Sequence, residues 1–155
     1  MLIDAMEGHV PEMLEVAADC GLFDEPQLGV LLQTIERHFR GESERHELWL
    51  NDLAGDRVIS VAYCAEEVMT DRVWNLLFIA VRTDFQNQGR GGRVLGQVEA
   101  ALQDRGCRML IIETASGEDF ADTRAFYEKH GYDREGTVRD FYEQGVDKIV
   151  FRKLL

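Results

Sequence analysis

Val10, Met13, Leu14, Val16 and Ala17 recur at near-helical spacing, and Gly21 stands where such a helix would stop. After Glu25-Pro26 a second stripe of Leu28, Leu31, Leu32, Ile35 and Phe39 runs toward Gly41. Two amphipathic helices are therefore predicted ahead of any substantial strand, preceded only by a short apolar start at Leu2-Ile3. The period then changes. Residues 46–53 and 58–69 read as strands joined by the Gly-containing connection Ala54-Gly55-Asp56-Arg57. Residues 73–81, apolar at nearly every position, read as a central strand buried on both faces. Val94, Leu95, Val98, Ala101 and Leu102 return to helical spacing, closed by Arg105-Gly106. Met109 to Ile112, running into Glu113-Thr114, predicts another buried strand, so residues 73–114 form a βαβ crossover with a parallel pair. A last helix is predicted from Ala121 to His130, followed by strands over 137–142 and 148–151 that pair as a hairpin around Gln144-Gly145.

Composition narrows what this α/β arrangement can be. With 155 residues and 45% hydrophobic content, the chain is expected to form a single domain over residues 1–155. The 17 Lys and Arg against 29 Asp and Glu leave a net charge of −12, which repels a phosphate backbone and excludes general nucleic-acid or anionic-membrane binding. An acidic surface suits a cationic partner such as an amine, and it also serves solubility. Cys20, Cys64 and Cys107 are widely separated, with no C-x-x-C and no His at zinc-finger spacing, so a reducing cytoplasm and no metal are expected. Asp4 and Glu7 stand where a signal peptide would carry positive charge, and no apolar run has the length of a membrane span.

The chemistry concentrates between the central strand and the helix after it. In Gln86-Asn87-Gln88-Gly89-Arg90-Gly91-Gly92 the glycines let backbone approach a ligand at a helix start, where unpaired N–H donors and the dipole favour an anion. Arg90 and Arg93 add local positive charge, as does Arg82 at the strand end. A Walker loop fails, because Gly92 is followed by Arg93-Val94 and no Mg²⁺-binding hydroxyl is present. A dinucleotide fingerprint would align Gly89 and Gly91 and use Glu113 on a ribose. It then meets Val94 where Gly or Ala is required and the long connection Arg82 to Gln88 where a tight turn is required.

Gln86-Asn87-Gln88-Gly89-Arg90-Gly91 instead resembles throughout the pyrophosphate motif Gln/Arg-x-x-Gly-x-Gly/Ala of the GNAT superfamily of acyl-CoA N-acyltransferases. Phe126-Tyr127-Glu128-Lys129-His130-Gly131-Tyr132 is similar to that family's second hallmark, a helical tyrosine before a Gly-aromatic pair, and the order of elements looks like its fold over essentially the whole chain. The resemblance implies a single twisted mixed β-sheet of about six or seven strands with helices on both faces. It implies acetyl-CoA as co-substrate and transfer to a small-molecule, peptide or protein amine in a ternary complex. The alternatives are a non-catalytic acyl-CoA-binding module and an NAD-type nucleotide-binding module.

Within that resemblance, cofactor contacts are implied for Phe78, Ile79, Val81, Gln86, Asn87, Gln88, Gly89, Arg90, Gly91, Gly92, Arg93, Thr114 and Phe126. An oxyanion donor is implied at a backbone N–H near Phe78 or Ile79. Tyr127 corresponds to the general acid facing the CoA sulfur, a task suited to a phenol that stays neutral at neutral pH. Residues 73–81 contain no carboxylate, so Glu113, the one acid in a predicted buried strand, is the candidate base or amine anchor, with a salt bridge to Arg124 or Arg139 as the alternative fate. Asn75, Asp140 and Tyr142 are candidate acceptor contacts. His130 reads as a helix-end cation. The chain departs from the family at Phe120 and Thr123, where many relatives carry Asn and Ala, and Thr114 or Ser116 is the expected substitute contact. Edge strands of the final hairpin offer a route to a homodimer.

Overall fold

The computed structural model describes residues 1–155. Two helices come early, α1 (Val10–Asp19) and α2 (Glu25–Phe39). The second is fixed at its start by a reciprocal cap in which the Asp24 carboxylate accepts from the Gln27 N–H and the Gln27 side chain accepts from the Asp24 N–H, each at 2.8 Å. Pro26 lies in the first turn, where its missing donor leaves no bond unmade. The sheet contains β1 (Leu2–Asp4), β2 (Glu47–Ala54), β3 (Arg57–Glu66), β4 (Val73–Val81), β5 (Met109–Ala115), β6 (Asp133–Glu143) and β7 (Val146–Leu154) in the order β1-β2-β3-β4-β5-β7-β6. Only β4 and β5 run parallel, and α3 (Arg90–Asp104) is the crossover between them. Then α4 (Ala121–Lys129) precedes the final hairpin. No helix is long and apolar enough to cross a membrane.

The sheet separates two cores. Leu48, Leu50, Ala62, Cys64, Trp74, Leu76, Leu110 and Ile112 pack with Val94, Leu95, Val98 and Leu102 of α3 and Tyr127 of α4. Trp49, Val61, Tyr63, Ala65 and Ala80 pack on the other face with Met13, Val16 and Ala17 of α1 and Leu31 and Ile35 of α2. Strand alternation explains the division, since successive side chains leave the sheet on opposite sides.

At the centre of the sheet, β4 breaks that alternation. Tyr63 pairs with Phe78 but Cys64 pairs with Leu76, so Leu77 is an extra residue in β4. Trp74 and Leu76 face the α3–α4 core before the bulge, and Phe78 and Ala80 face the α1–α2 side after it. At the same point β4 parts from β5, whose pairing ends at Leu76 with Ile112. The predicted burial of 73–81 on both faces therefore fails beyond Leu76. Leu77, which has no partner on β3 or β5, is 38% exposed.

Two other expectations shift. The strand predicted to reach Met69 ends at Glu66, because the Glu67 N–H donates to the Val73 carbonyl and the Thr70 hydroxyl to the Glu67 carbonyl, closing a turn. The final hairpin is longer than predicted. β6 carries no buried side chain and so no alternation to read.

Candidate active site at the split in the sheet

Past Val81 the chain is tied to α1, where Asp19 Oδ2 accepts from the Thr83 N–H at 2.6 Å and the Thr83 hydroxyl at 3.0 Å. The Gln86 amide donates back to the Val81 carbonyl at 2.8 Å, and that of Gln88 to the Asp84 carbonyl at 2.9 Å. Asn87 (φ 57°) and Gly89 (φ 74°) adopt left-handed backbone, which turns the loop sharply into α3. Gly89 is the N-cap, and no side chain caps the helix, in contrast to α2. The N–H groups of Arg90, Gly91 and Gly92 thus have no acceptor within the helix, and these residues form one wall of a cleft of about 720 Å³. Open donors at a positive dipole end are what an anionic ligand requires.

The arginines assigned to that ligand are engaged elsewhere in part. Asp52, on β2 and 0% exposed, receives Arg93 Nη2 at 2.7 and 3.0 Å, Arg90 Nη1 at 3.3 Å and the Met1 ammonium at 2.7 Å. Burial alone would raise the Asp52 carboxyl, but hydrogen bonds from the terminal ammonium and Arg93 outweigh it and hold the group below the usual carboxylate range. Arg93 does not line the cleft. Arg90 does, with its guanidinium 5.5 Å from the Phe85 ring centroid. Arg82 is buried, donating to the Val58 carbonyl and paired with Glu15, each at 2.9 Å.

The opposite wall is α4. Tyr127 is 7% exposed, lies among Phe126, Tyr132 and Phe151, and reaches the cleft. Burial, with the Cys64 thiol nearby, pushes its phenol well above the usual range, so it remains a proton donor across neutral pH. The Gly-aromatic pair has a structural role. Gly131 (φ 82°) stops the helix, the Tyr132 N–H donates to the Tyr127 carbonyl at 3.1 Å, and the Tyr132 hydroxyl donates to Glu99 at 2.8 Å. Phe126 packs against α3, its ring 3.5 Å from where a Cβ on Gly91 would lie.

Glu113 lies on the other side of the sheet. Leu110 and Ile112 enter the α3–α4 core, so alternation turns Ile111 and Glu113 away from Tyr127. The Glu113 carboxylate pairs with Lys148 at 3.3 Å, not with Arg124 or Arg139, and Lys148 also sits 3.7 Å over the Phe141 ring. It is exposed, contrary to the burial predicted for that strand, because neither helix pair covers this part of the sheet. Arg124 donates instead to the Ala115 and Gly117 carbonyls at 2.8 Å.

Asn75 shares the face of Glu113. It is 4% exposed, donates to Glu67 at 3.0 Å, and leaves Oδ1 buried without a partner. Asp140 (φ 53°) builds the hairpin tip, accepting from the Gly145 N–H at 2.7 Å and donating its own N–H to Asp147 at 2.9 Å. Tyr142 is half-exposed where β6 leaves its ladder with β7, and burial followed by the charge of Glu113 raises its phenol.

Of the residues expected at the cofactor, Ile79, Val81, Gln86, Asn87, Gly89 to Gly92 and Phe126 line the cleft. Phe78 packs edge-on against Phe23 in the α1–α2 core, and Gln88 and Thr114 lie outside the cleft walls. Cys20 and Leu22 in the α1–α2 connection, and Asp119, Asp122, Lys129 and His130 around α4, line it without having been singled out as ligand contacts. They lie in ordinary helix-end and loop sequence, where no spacing signals a ligand.

The fold agrees with that of known proteins. No curated protein matches the chain by sequence. A protein from Desulfovibrio desulfuricans, described as of the GNAT acetyltransferase family, is similar in structure with a TM-score of 0.94 at 24% identity, covering 99% of this chain and 98% of that one. The ribosomal-protein-S18-alanine N-acetyltransferase of Escherichia coli is similar at TM-score 0.77 and 20% identity, over 99% of this chain and 92% of its own. The PaiA N-acetyltransferase of Thermoplasma acidophilum, solved with coenzyme A, is similar at TM-score 0.74 and 16% identity, over 100% and 98%. The sequence itself matches the acetyltransferase (GNAT) family over residues 10–132, most of its length, and the chain belongs to that family.

Proposed function

We propose that the chain transfers an acetyl group from acetyl-CoA to a primary amine by direct attack in a ternary complex. The observation that carries this reading is the uncapped start of α3 and the buried phenol of Tyr127 on facing walls of one cleft. The N–H groups of Arg90, Gly91 and Gly92 bind the donor's diphosphate. The edge of β4 freed at the split, from Ile79 to Val81, takes the extended arm of the donor. A backbone N–H beside the Leu77 bulge polarises the carbonyl.

The amine attacks as the free base, and Tyr127 gives its hydroxyl proton to the departing thiolate as the carbon–sulfur bond breaks and the carbon–nitrogen bond forms. The proton shed by the nitrogen passes to water, from which the phenolate is reprotonated. The attacking nitrogen approaches from the other face of the split. There Glu113 serves as an anchor for the acceptor's positive charge, and Asn75, Asp140 and Tyr142 border the approach. Its pairing with Lys148 suits Glu113 to anchoring better than to carrying a proton. A small amine and a peptide N-terminus both fit this scheme, and an alanine of ribosomal protein S18 is the acceptor named for the Escherichia coli relative.

Thiol release from acetyl-CoA, followed with a panel of small amines and alanine-starting peptides, tests the reading. Amine-dependent release is expected. Donor binding with no release on any acceptor would leave a binding module.

A further inference from the structure

Gly92 and His130 compete for one point in space. A Cβ on Gly92 would meet His130 Nε2 at 2.6 Å, inside the contact limit of real side chains. The ring is held from behind. His130 Nδ1 is 2.7 Å from the Phe126 carbonyl, which can only accept, so Nδ1 carries a proton and Nε2 is turned toward the first turn of α3. The same ring packs on Phe126, with centroids 4.4 Å apart. His130 lines the cleft, while Arg93, the loop cation that the sequence places beside the glycines, is held by Asp52.

Resting on the reading that the cleft takes an acyl-CoA, we infer that His130 is a further binding residue for the donor. In its imidazolium form Nε2–H donates to a phosphate oxygen of the nucleotide seated on the open N–H groups of α3, so donor affinity depends on the protonation of His130. The other charged or titratable groups on these walls are Arg90 of α3, Asp119, Asp122, Tyr127 and Lys129 from the α4 region, and Cys20 from the α1–α2 connection. From β7, Lys153 donates to the His130 carbonyl while paired with Glu99. None of these changes in the variants below.

Calorimetric titration of CoA and of 3′-dephospho-CoA into the wild type, His130→Phe and His130→Lys, from roughly pH 5.5 to roughly pH 8.5, tests the inference. Phenylalanine keeps a ring against Phe126 without nitrogen, and lysine keeps a charge throughout. The wild type should bind CoA about tenfold more tightly than His130→Phe at the acid end, the size of one charge-assisted hydrogen bond. That ratio should approach unity at the alkaline end, and the ligand's own titration cancels in it. The ratio of His130→Lys to His130→Phe should show no such fall. A wild-type advantage kept with dephospho-CoA assigns the contact to the diphosphate, and one lost assigns it to the ribose phosphate. Equal affinities of wild type and a folded His130→Phe at the acid end would overturn the inference, as would a matching fall in the lysine ratio. Failure of the wild type to bind CoA at any pH would instead overturn the donor reading beneath it.

Discussion

Asp52 decides how the glycine loop is held. It is fully buried, and three cationic groups converge on it, two of them from the first turn of α3. Asp52→Asn leaves those cations without their counter-charge and should cost about 2 kcal/mol, below the range for deeply buried pairs because Arg93 retains solvent. Since the folded-state carboxyl is held below its usual range, its contribution is complete above about pH 4 and is lost as pH falls through the lowered value. Urea denaturation of both proteins should therefore show a gap at neutral pH that narrows below about pH 4. At Tyr127, the proposed proton donor, replacement by Phe removes the hydroxyl and little volume. The turnover number should fall by about 100-fold while the KM for acetyl-CoA stays nearly constant. Burial keeps the phenol protonated through the alkaline range, so loss of the acid should not limit activity there. The loop and Tyr127 were legible because glycine spacing and a tyrosine before Gly-aromatic are local patterns. Asp52 was not, since nothing local in Leu50-Asn51-Asp52 reveals which cations the fold will bring to it.

The split between β4 and β5 depends on a single extra residue. Deleting Leu77 would make Leu76 and Phe78 neighbours in an unbroken ladder with β3, keeping Phe78 and Ala80 on the α1–α2 face while removing the bulge that re-aims the backbone at the split. Denaturant unfolding should therefore change little, while the KM for acetyl-CoA should rise severalfold because the unpaired backbone at the bulge is lost. The link from α1 to the loop makes a different demand. Asp19→Ala frees Thr83 and the turn before Gln86, and should raise the KM for acetyl-CoA severalfold with the turnover number nearly unchanged. The βαβ crossover was readable because its strands are continuous apolar runs. The split was hidden for the same reason, since an apolar run reads as buried whether another strand or a ligand covers it. β6 was only partly readable, because a strand with no buried face carries no alternation.

Across the molecule, Tyr127 and Glu113 lie on opposite sides of one sheet. That separation could not be read from the sequence, because the face Glu113 takes depends on register and on which helices cover β5. The charge of −12 acts on both substrates at once. Added salt screens it, so rising ionic strength should lower the KM for the anionic donor and raise it for a cationic amine, a pair of opposite trends that steady-state kinetics can resolve. The central claim is that the open start of α3 binds the nucleotide part of an acyl-CoA. Calorimetric titration of the wild type with acetyl-CoA, in the presence and absence of excess NAD⁺, addresses it directly. One-to-one binding at about micromolar concentrations, undisturbed by NAD⁺, is the expected result. No heat of binding, or displacement by NAD⁺, would contradict it.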